Sequence, residues 1–344
     1  MASEITIALR DYDPTIVDAY RALFPDDPDK SPELLDWRFA ANPHGRAKFA
    51  IASSSDGILG MIALVPTKLR NLPGEALGYQ AIDTSVHPSA RGRGLFVKMG
   101  KLAEDPAVLG GDIAWGFPNA NAAPGWYGRL GWTDFGPAPL LMRPLRSSFL
   151  FGRIHPRLRG IDLPLVGRCA TAAEVYSDGS ALADDFDVLW NKVAPHFGIT
   201  VDRGGSFLRW RLVDKPDADY RCVGVKNGDD LEAFVAAKTT DKHGARLCYV
   251  MEAVSLPERS TELSRLIRSE MYRAAQAGAE AALAWCPPNA PNYRAYRRAG
   301  FFPVPARLRP IEINFGACAL RDEYAAAAAP GARWYVSFLD SDTN

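Results

Sequence analysis

The chain has 344 residues, of which 47% are apolar, and its 40 lysines and arginines balance 40 aspartates and glutamates. This composition is typical of a globular protein of about two domains. The zero net charge argues against a general polyanion binder, so nucleic acid is not an expected partner. No stretch approaches the roughly 20 apolar residues of a membrane-spanning helix, and the start of the chain lacks a signal-peptide pattern. We therefore expect a soluble, cytoplasmic protein without a transmembrane segment.

Cysteine and histidine are scattered through the sequence. No CxxC pair occurs, so neither a disulfide framework nor a zinc site is expected, and no metal cofactor is predicted. The residues concerned are Cys169, Cys222, Cys248, Cys286, Cys318, His44, His87, His155, His196 and His243.

The first half of the chain begins with predicted strands and continues with alternating helices and strands. Two strands joined by a Ser/Asp/Gly turn are followed by a third strand, a helix after Gly94, a buried strand and a short helix. Their predicted positions are 48–55, 57–70, 76–88, 95–105, 112–117 and 126–130.

The second half shows the same predicted order. A hairpin with an Asn-Gly turn at 221–240 precedes a strand at 247–256. A helix follows at 261–279, with Ser260 or Thr261 as a plausible cap. A strand at 280–286 and a helical segment at 292–302 complete the series.

Two landmarks support an internal repeat. Leu34–Pro43 (LLDWRFAANP) returns as Phe207–Pro216 (FLRWRLVDKP), and Trp126–Trp132 returns as Ala295–Phe301. The offsets are 210 minus 37, or 173, and 296 minus 127, or 169. Matches in one order at nearly one offset indicate duplication.

The predicted fold class is α/β, with two tandem domains that each contain a mixed, largely antiparallel sheet flanked by helices. The predicted domains span 1–145 and 169–344. Residues 146–168 form a basic, Pro-containing connector that serves as a linker or covers the acceptor site.

The stretch VHPSARGRGLF, at 86–96, contains two glycines interleaved with two arginines, followed by a predicted helix. Glycine permits close approach of main-chain N–H groups, and the first amides of a helix have no internal partner. Such a turn forms a socket for an anion or serves as a plain strand-to-helix turn.

This half resembles the GNAT superfamily of acyl-CoA-dependent N-acyltransferases. The resemblance rests on a strand ending Val86-His87-Pro88, then Arg91-x-x-Gly94, then a helix, and then Tyr127-x-x-x-Gly131-aromatic. Two departures are Phe96, where the family has Gly or Ala, and Pro106, which is expected to cut the helix short.

The resemblance implies that acyl-CoA, most simply acetyl-CoA, is the co-substrate. It implies that main-chain amides after Arg91 bind the pyrophosphate, that a splayed strand end aligns the pantetheine arm, and that Asn119 is either a pantetheine contact or a turn residue. The implied cofactor-binding residues are Ser85, Val86, Arg91, Gly92, Arg93, Gly94, Leu95, Phe96 and Asn119.

Two catalytic residues are expected. Tyr127 matches the family tyrosine that protonates the leaving thiolate, although aromatic residues there are also often core. Asp83, three residues before Val86, either binds and deprotonates the amine or is a turn residue. Trp37-Arg38 and Trp210-Arg211 occur in both halves, which favours a structural role such as pairing of the arginine with a carboxylate.

The second domain lacks the anion socket. Aligning Pro88 with Pro257 places Leu263 opposite Gly94, so we expect this domain to bind no CoA and to wall the acceptor cleft or stabilise the first domain. The apolar run before Asp340 and Asp342 is expected to be a closing strand, which could deliver an acid to the cleft.

The expected activity is transfer of an acyl group to a primary amine. The pattern WGFPN through Trp132 is similar to a GNAT subgroup linked to surface polysaccharides, which implies an aminosugar acceptor, either free or as a nucleotide-sugar. The alternatives are a non-catalytic acyl-CoA sensor or scaffold, in which Phe96 partly fills the loop, and a Fem-like aminoacyl transferase, which the Arg-Gly loop disfavours. The sequence leaves the oligomeric state open.

Overall fold

The computed structural model describes residues 4–25, 27, 30–154, 162–305, 309 and 313–341. The chain forms two compact units. The first comprises Met1–Ala138, Asp214–Pro216 and Glu312–Arg333, and the second comprises Pro139–Val213, Asp217–Ile311 and Trp334–Asn344.

Strands and helices alternate along the chain. In the first half they are β1 (Thr6–Asp11), α1 (Thr15–Leu23), α2 (Pro32–Phe39), β2 (Lys48–Ser54), β3 (Gly57–Arg70), β4 (Ala76–Val86), α3 (Leu95–Ala103), α4 (Pro106–Leu109), β5 (Ile113–Gly116), α5 (Ala123–Gly128), β6 (Thr133–Pro137), β7 (Leu140–Pro144) and α6 (Ser147–Ile154). In the second half they are β8 (Glu174–Val175), α7 (Gly179–Val193), β9 (Thr200–Val201), α8 (Gly205–Leu212), β10 (Arg221–Asn227), β11 (Asp230–Lys242), β12 (Ala245–Ser255), α9 (Ser260–Gln276), β13 (Ala281–Trp285), α10 (Tyr293–Arg298), β14 (Phe302–Pro303) and β15 (Asn314–Ala319).

Each unit contains a mixed sheet. The first sheet has the order β1-β2-β3-β4-β5-β15-β6, and the second has the order β14-β7-β13-β12-β11-β10-β8. Within these orders only β4–β5 and β12–β13 pair in parallel, while the remaining neighbours are antiparallel. The predicted fold class of two mixed, largely antiparallel sheets is confirmed.

The units do not follow the predicted halves of the chain. Strand β7 belongs to the second sheet although it precedes residue 145, and β15 belongs to the first sheet, between β5 and β6. Each of these strands finds both of its partners in the sheet formed mainly by the other half. Of the predicted connector, residues 147–154 form α6, while residues 155–161 lie outside the described residues.

Helices cover both faces of the first sheet. Successive strand residues point to opposite faces, so each strand can pack against helices on two sides. Phe49 and Ile51 pack on the side of α1 and α2, whereas Ala50 and Ala52 pack on the side of α3 and α5. As expected, α3 ends at Ala103, shortly before Pro106.

The two offsets found in the sequence also relate the bounds of the observed helices and strands. Helix α2 at 32–39 and α8 at 205–212 differ by 173, and β4 at 76–86 and β12 at 245–255 differ by 169. The two units can therefore be compared residue by residue.

Candidate active site

The Arg-Gly stretch lies between β4 and α3. Gly92 and Gly94 have φ angles of +80° and +71°, in the left-handed region that favours glycine, and a Cβ added to either would meet no atom within 4 Å. The Lys98 amide donates to the Gly94 carbonyl at 3.1 Å, as the first turn of α3 closes. The amides before Lys98 precede this bond and lack an acceptor in the helix, so they can bind an anion.

Phe96 lies beside this loop. Its ring packs edge-to-face on Trp126 at a centroid distance of 5.2 Å, and it occupies the space that a Cβ on Gly125 would need. The residue thus joins α3 to α5. The expectation that Phe96 partly fills the loop does not match this packing.

Strand β4 continues beyond its last pairing with β5. Pairing with β5 stops at Ala81 and Gly116, whereas pairing with β3 continues to Val86. The His87 amide donates to the Leu59 carbonyl of β3 at 2.8 Å, so the Val86 amide, one residue earlier, faces the opposite edge. A main-chain donor therefore faces the side on which β5 has ended.

The predicted backbone contacts at Ser85 and Val86 differ in orientation. The Ser85 carbonyl lies toward β3, 3.0 Å from the position of a Cβ on Gly60. The Val86 carbonyl accepts a long hydrogen bond of 3.4 Å from Nε of Arg91, which ties the strand end to the Arg-Gly loop. Val86 is thus better placed than Ser85 to meet a ligand at this edge.

Asp83 lies before this strand end, and several groups contact its carboxylate. Nζ of Lys30 lies 2.6 Å from Oδ1, the Tyr20 hydroxyl donates to Oδ2 at 2.9 Å, and a guanidinium nitrogen of Arg38 lies 3.7 Å from Oδ2. Arg38 thus lies near a carboxylate, as predicted, whereas its counterpart Arg211 donates to the main-chain carbonyls of Leu339 and Ser341. These contacts engage both carboxylate oxygens of Asp83, so neither oxygen is free in this structure.

Tyr127 lies on α5. Its hydroxyl is buried and has no hydrogen-bond partner among the described residues. Burial, and secondarily the negative charge of Asp134, raise the pKa of this phenol well above its usual value. The hydroxyl is therefore a protonated donor without an acceptor. Its counterpart Tyr296 is 1% exposed and belongs to the core of the second unit.

Asn119 begins the turn into α5. Its Oδ1 accepts hydrogen bonds from the amides of Asn121 at 3.1 Å and Ala122 at 3.0 Å. The side-chain oxygen thus forms an Asx turn. The pantetheine contact stays a prediction, and the Nδ2 group of Asn119 would have to make it.

The second unit has a different sequence at the position of the loop. A 3-10 turn at Pro257–Arg259 leads directly into α9, and Leu263, opposite Gly94, is buried in the core. Helix α9 has no side-chain cap and its N-cap residue is Arg259, so the predicted cap at Ser260 or Thr261 is wrong. The 3-10 turn runs directly into the helix, so the chain has no break at which a side chain could fold back and cap the first amides.

A buried polar cluster occupies the end of β12. Arg203 lies 2.7 Å from Glu252 and also pairs with Asp340, and all three side chains are buried. Tyr335 and Ser337 donate from their hydroxyls to the two oxygens of Glu252. The run before Asp340 is not the predicted strand, because it bends through a 3-10 turn at Phe338–Asp340 that brings this acid to Arg203.

The same cluster extends across the end of β12. Nδ2 of Asn292 donates to the carbonyl of Ala253 at 2.7 Å and to the hydroxyl of Tyr335 at 2.8 Å. Pairing of β12 with β13 stops at Val250, so Ala253 lies in the separated part of the strand. In the second unit this strand end is therefore occupied by the chain's own side chains.

Two further features concern metal-binding groups and membrane-spanning helices. In the described part of the chain, no group of three or more His, Cys, Asp or Glu side chains could hold a metal ion. Among the same residues, no helix is long and apolar enough to cross a membrane.

Solved structures identify the fold. Saccharomyces cerevisiae N-myristoyltransferase with bound myristoyl-CoA has a TM-score of 0.59 at 10% identity, over 92% of this chain and 83% of that chain. A GCN5-related N-acetyltransferase from Anabaena variabilis has a TM-score of 0.59 at 12% identity, over 94% and 75%. A probable N-acyltransferase from Enterococcus faecalis has a TM-score of 0.57 at 12% identity, over 93% and 74%.

The chain has the GNAT fold. No protein-family model matches it, and no curated protein sequence does. The resemblance predicted from the sequence is thus confirmed at the level of the fold, and the GNAT fold extends over more than nine-tenths of the chain.

Sequence reasoning missed Lys30 and Tyr20. Lys30 stands in the stretch FPDDPDKSP, which has the composition of a solvated loop. One signal was available: Lys30 and Arg203 differ by 173, the same spacing that relates Trp37 to Trp210.

Proposed function

We propose that the protein is an acyl-CoA-dependent N-acyltransferase whose donor site lies in the first unit. The observation that carries the proposal is the open loop at Gly92 and Gly94, placed directly after the part of β4 that extends beyond its pairing with β5. An anion socket and an exposed strand edge occur in succession, which suits a ligand with a pyrophosphate at one end and an amide-rich arm at the other. The yeast N-myristoyltransferase structure holds myristoyl-CoA, which supports this class of donor.

The residues present fit such a donor. Amides of residues 92–96 would bind the pyrophosphate, with Arg91 and Arg93 adding positive charge. The Val86 amide would donate to the thioester carbonyl and stabilise the negative charge that develops there. Asn119 would contact the pantetheine arm through Nδ2.

Tyr127 would donate its hydroxyl hydrogen to the departing sulfur. A thiol has a pKa of about 8.5, and burial raises the phenol above its usual value of about 10, so transfer of the proton to the thiolate is uphill. A hydrogen bond from the phenol still stabilises the thiolate, and proximity makes such a group worth about 100-fold in rate.

The reaction balances without a further reactant. The amine nitrogen bonds to the carbonyl carbon, the carbon–sulfur bond breaks, and the proton lost by nitrogen is matched by the proton gained by sulfur. We propose a primary amine as acceptor, with an aminosugar or a nucleotide-linked aminosugar as its class, on the strength of the pattern from Trp115 to Trp132. Because acyl-CoA is an intracellular metabolite, this proposal carries a cytoplasmic location.

We further propose that the second unit binds no CoA. Leu263 replaces the loop glycine, and Asn292 together with the Tyr335 and Glu252 side chains occupies the strand end that would align a pantetheine arm. Its proposed role is to support the first unit or to wall the acceptor cleft.

The first test is thermal unfolding with acetyl-CoA and longer acyl-CoAs. We expect the wild-type protein to gain several degrees in Tm with at least one of them, because a ligand that binds only the folded state stabilises it. Gly94→Val is expected to abolish the gain, since valine rarely adopts a φ of +71° and would fill the loop. No gain with any acyl-CoA would overturn the proposal, whereas binding without turnover across a panel of aminosugars would indicate the sensor.

A further inference from the structure

Asp83 has an unusual backbone conformation. Its φ angle is +48°, in the left-handed region, within a strand. The register of β4 against β3 shifts at the same place, from Ser85 paired with Met61 to Ile82 paired with Ala63. Such a bulge bends a strand and changes the direction of the residues after it. Those residues are the end of β4 at Val86, beyond the last pairing of β4 with β5.

The carboxylate of Asp83 is anchored from outside the sheet. Tyr20 comes from α1, Lys30 from the segment before α2, and Arg38 from α2. The side chains of both Asp83 and Lys30 are 10% exposed, so the pair is largely shielded from water. A strained backbone persists only where its surroundings hold it, and these contacts supply that hold.

The repeat provides an independent comparison. Glu252 follows Asp83 by 169, Arg203 follows Lys30 by 173, and the second pair is also an ion pair, at 2.7 Å. In both units, therefore, a carboxylate forms an ion pair with a residue just before a helix, α2 or α8. The left-handed φ is not, since among the described residues it occurs at Asp83 and not at Glu252. The strain accompanies the unit that has the open glycine loop.

We propose that Asp83 is a positioning residue rather than the proton acceptor. Its ion pair with Lys30 holds the bulge that sets the direction of the end of β4, and this keeps the Val86 amide aimed at the thioester carbonyl. The inference rests on the proposed donor site. It differs from the sequence prediction because the carboxylate acts through the strand and touches neither the amine nor the acyl group.

The test measures the infrared carbonyl stretch of bound [1-¹³C]acetyl-CoA, since a hydrogen bond to a carbonyl lowers its frequency. In the wild-type protein we expect a shift to lower frequency than in free acetyl-CoA. Lys30→Met and Asp83→Asn should both lose that shift, while the Kd for CoA itself changes less than about threefold because the pyrophosphate loop is intact. Lys30→Arg should retain the shift, since the second unit uses arginine at this position.

The matched control is Lys48→Met. Lys48 is a lysine of the same unit whose Nζ is anchored at 2.7 Å to the carbonyl of Leu109, away from the end of β4. This variant should keep both the shift and the Kd. A role of Asp83 as proton acceptor predicts instead that Lys30→Met leaves the shift intact, because the base would act on the amine.

The outcomes separate the two proposals. Failure of the wild-type protein to bind acetyl-CoA overturns the proposed function. A wild-type protein that binds acetyl-CoA without a carbonyl shift contradicts the Val86 contact and with it the inference. A shift retained in Lys30→Met overturns the inference alone. In a third outcome, Lys30→Met loses both the shift and CoA binding, and Lys30→Arg is equally impaired. The ion pair would then be only a folding contact, which also contradicts the inference.

Discussion

One buried hydroxyl of the first unit has a role in the proposed reaction. The Tyr127 hydroxyl is buried without a partner, and such a group costs about 1–3 kcal/mol of stability. Buried polar groups are nearly always satisfied, so an exception suggests a partner that arrives with a ligand. In the proposed function that partner is the sulfur of the donor.

The first prediction therefore concerns Tyr127→Phe. Removing the hydroxyl should leave Tm unchanged or raised in the free protein, because an unsatisfied group is lost. It should lower kcat by about 100-fold with little change in acyl-CoA affinity, since the hydroxyl acts on the leaving group. Thermal unfolding and steady-state kinetics measure both effects, and a clear loss of Tm would show that the hydroxyl is a structural contact.

Glu104 provides a prediction on pH. Burial raises the pKa of this carboxyl from 4.5 to about 7, against the opposing hydrogen bond from Nε1 of Trp132 at 2.7 Å. The folded protein thus holds the proton more tightly than the unfolded chain. Stability is expected to be full below about pH 4.5 for this group and to fall as the pH rises to about 7.

Glu104→Gln tests the assignment. Glutamine carries no titrating proton and can still accept from Trp132, so the decline in the free energy of unfolding between about pH 4.5 and 7 should be smaller. Denaturant unfolding at several pH values measures it. Equal pH dependence in the variant and the wild-type protein would assign the effect to another group.

At the level of elements, the sequence predicted individual strands closely but not their exchange between sheets. The predicted strands at 48–55 and 57–70 appear as Lys48–Ser54 and Gly57–Arg70, because alternation and turn residues are local signals. The positions of β7 and β15 depend on pairing between distant parts of the chain, which periodicity does not encode. A division of the sequence into halves therefore placed both strands in the wrong unit.

The candidate site was predictable to the extent that it is local. The glycines of the loop and the position of Tyr127 follow from short motifs. The environment of Asp83 does not, because its partners come from 53 and 63 residues away in the sequence. Only the 173-residue spacing between Lys30 and Arg203 pointed to this ion pair.

The contact between α3 and α5 yields a further prediction. Gly125→Ala places a Cβ against the Phe96 ring, and overpacking of this kind costs about 1–3 kcal/mol. In a Phe96→Ala background the space is free and alanine favours helix, so the same change should cost nothing or stabilise. A double-mutant cycle by denaturant unfolding measures the coupling. Additive effects would show that Phe96 and Gly125 are independent.

Over the whole molecule, the two units share element bounds at constant offsets but differ at the end of the long strand. In both units a carboxylate near the end of the long strand pairs with a cation. This cation lies just before a helix, which is α2 in the first unit and α8 in the second. In the first unit the strand end and the glycine loop stay open, whereas in the second a leucine and a buried polar cluster fill the corresponding places. Under the proposed function, the first unit alone binds the donor.

The decisive experiment is a structure of the protein determined with CoA. We expect one CoA per chain, with its pyrophosphate on the amides of residues 92–96 and nothing bound at residues 259–263. An empty first loop at saturating CoA, or a coenzyme at the start of α9, would rule out the proposed donor site.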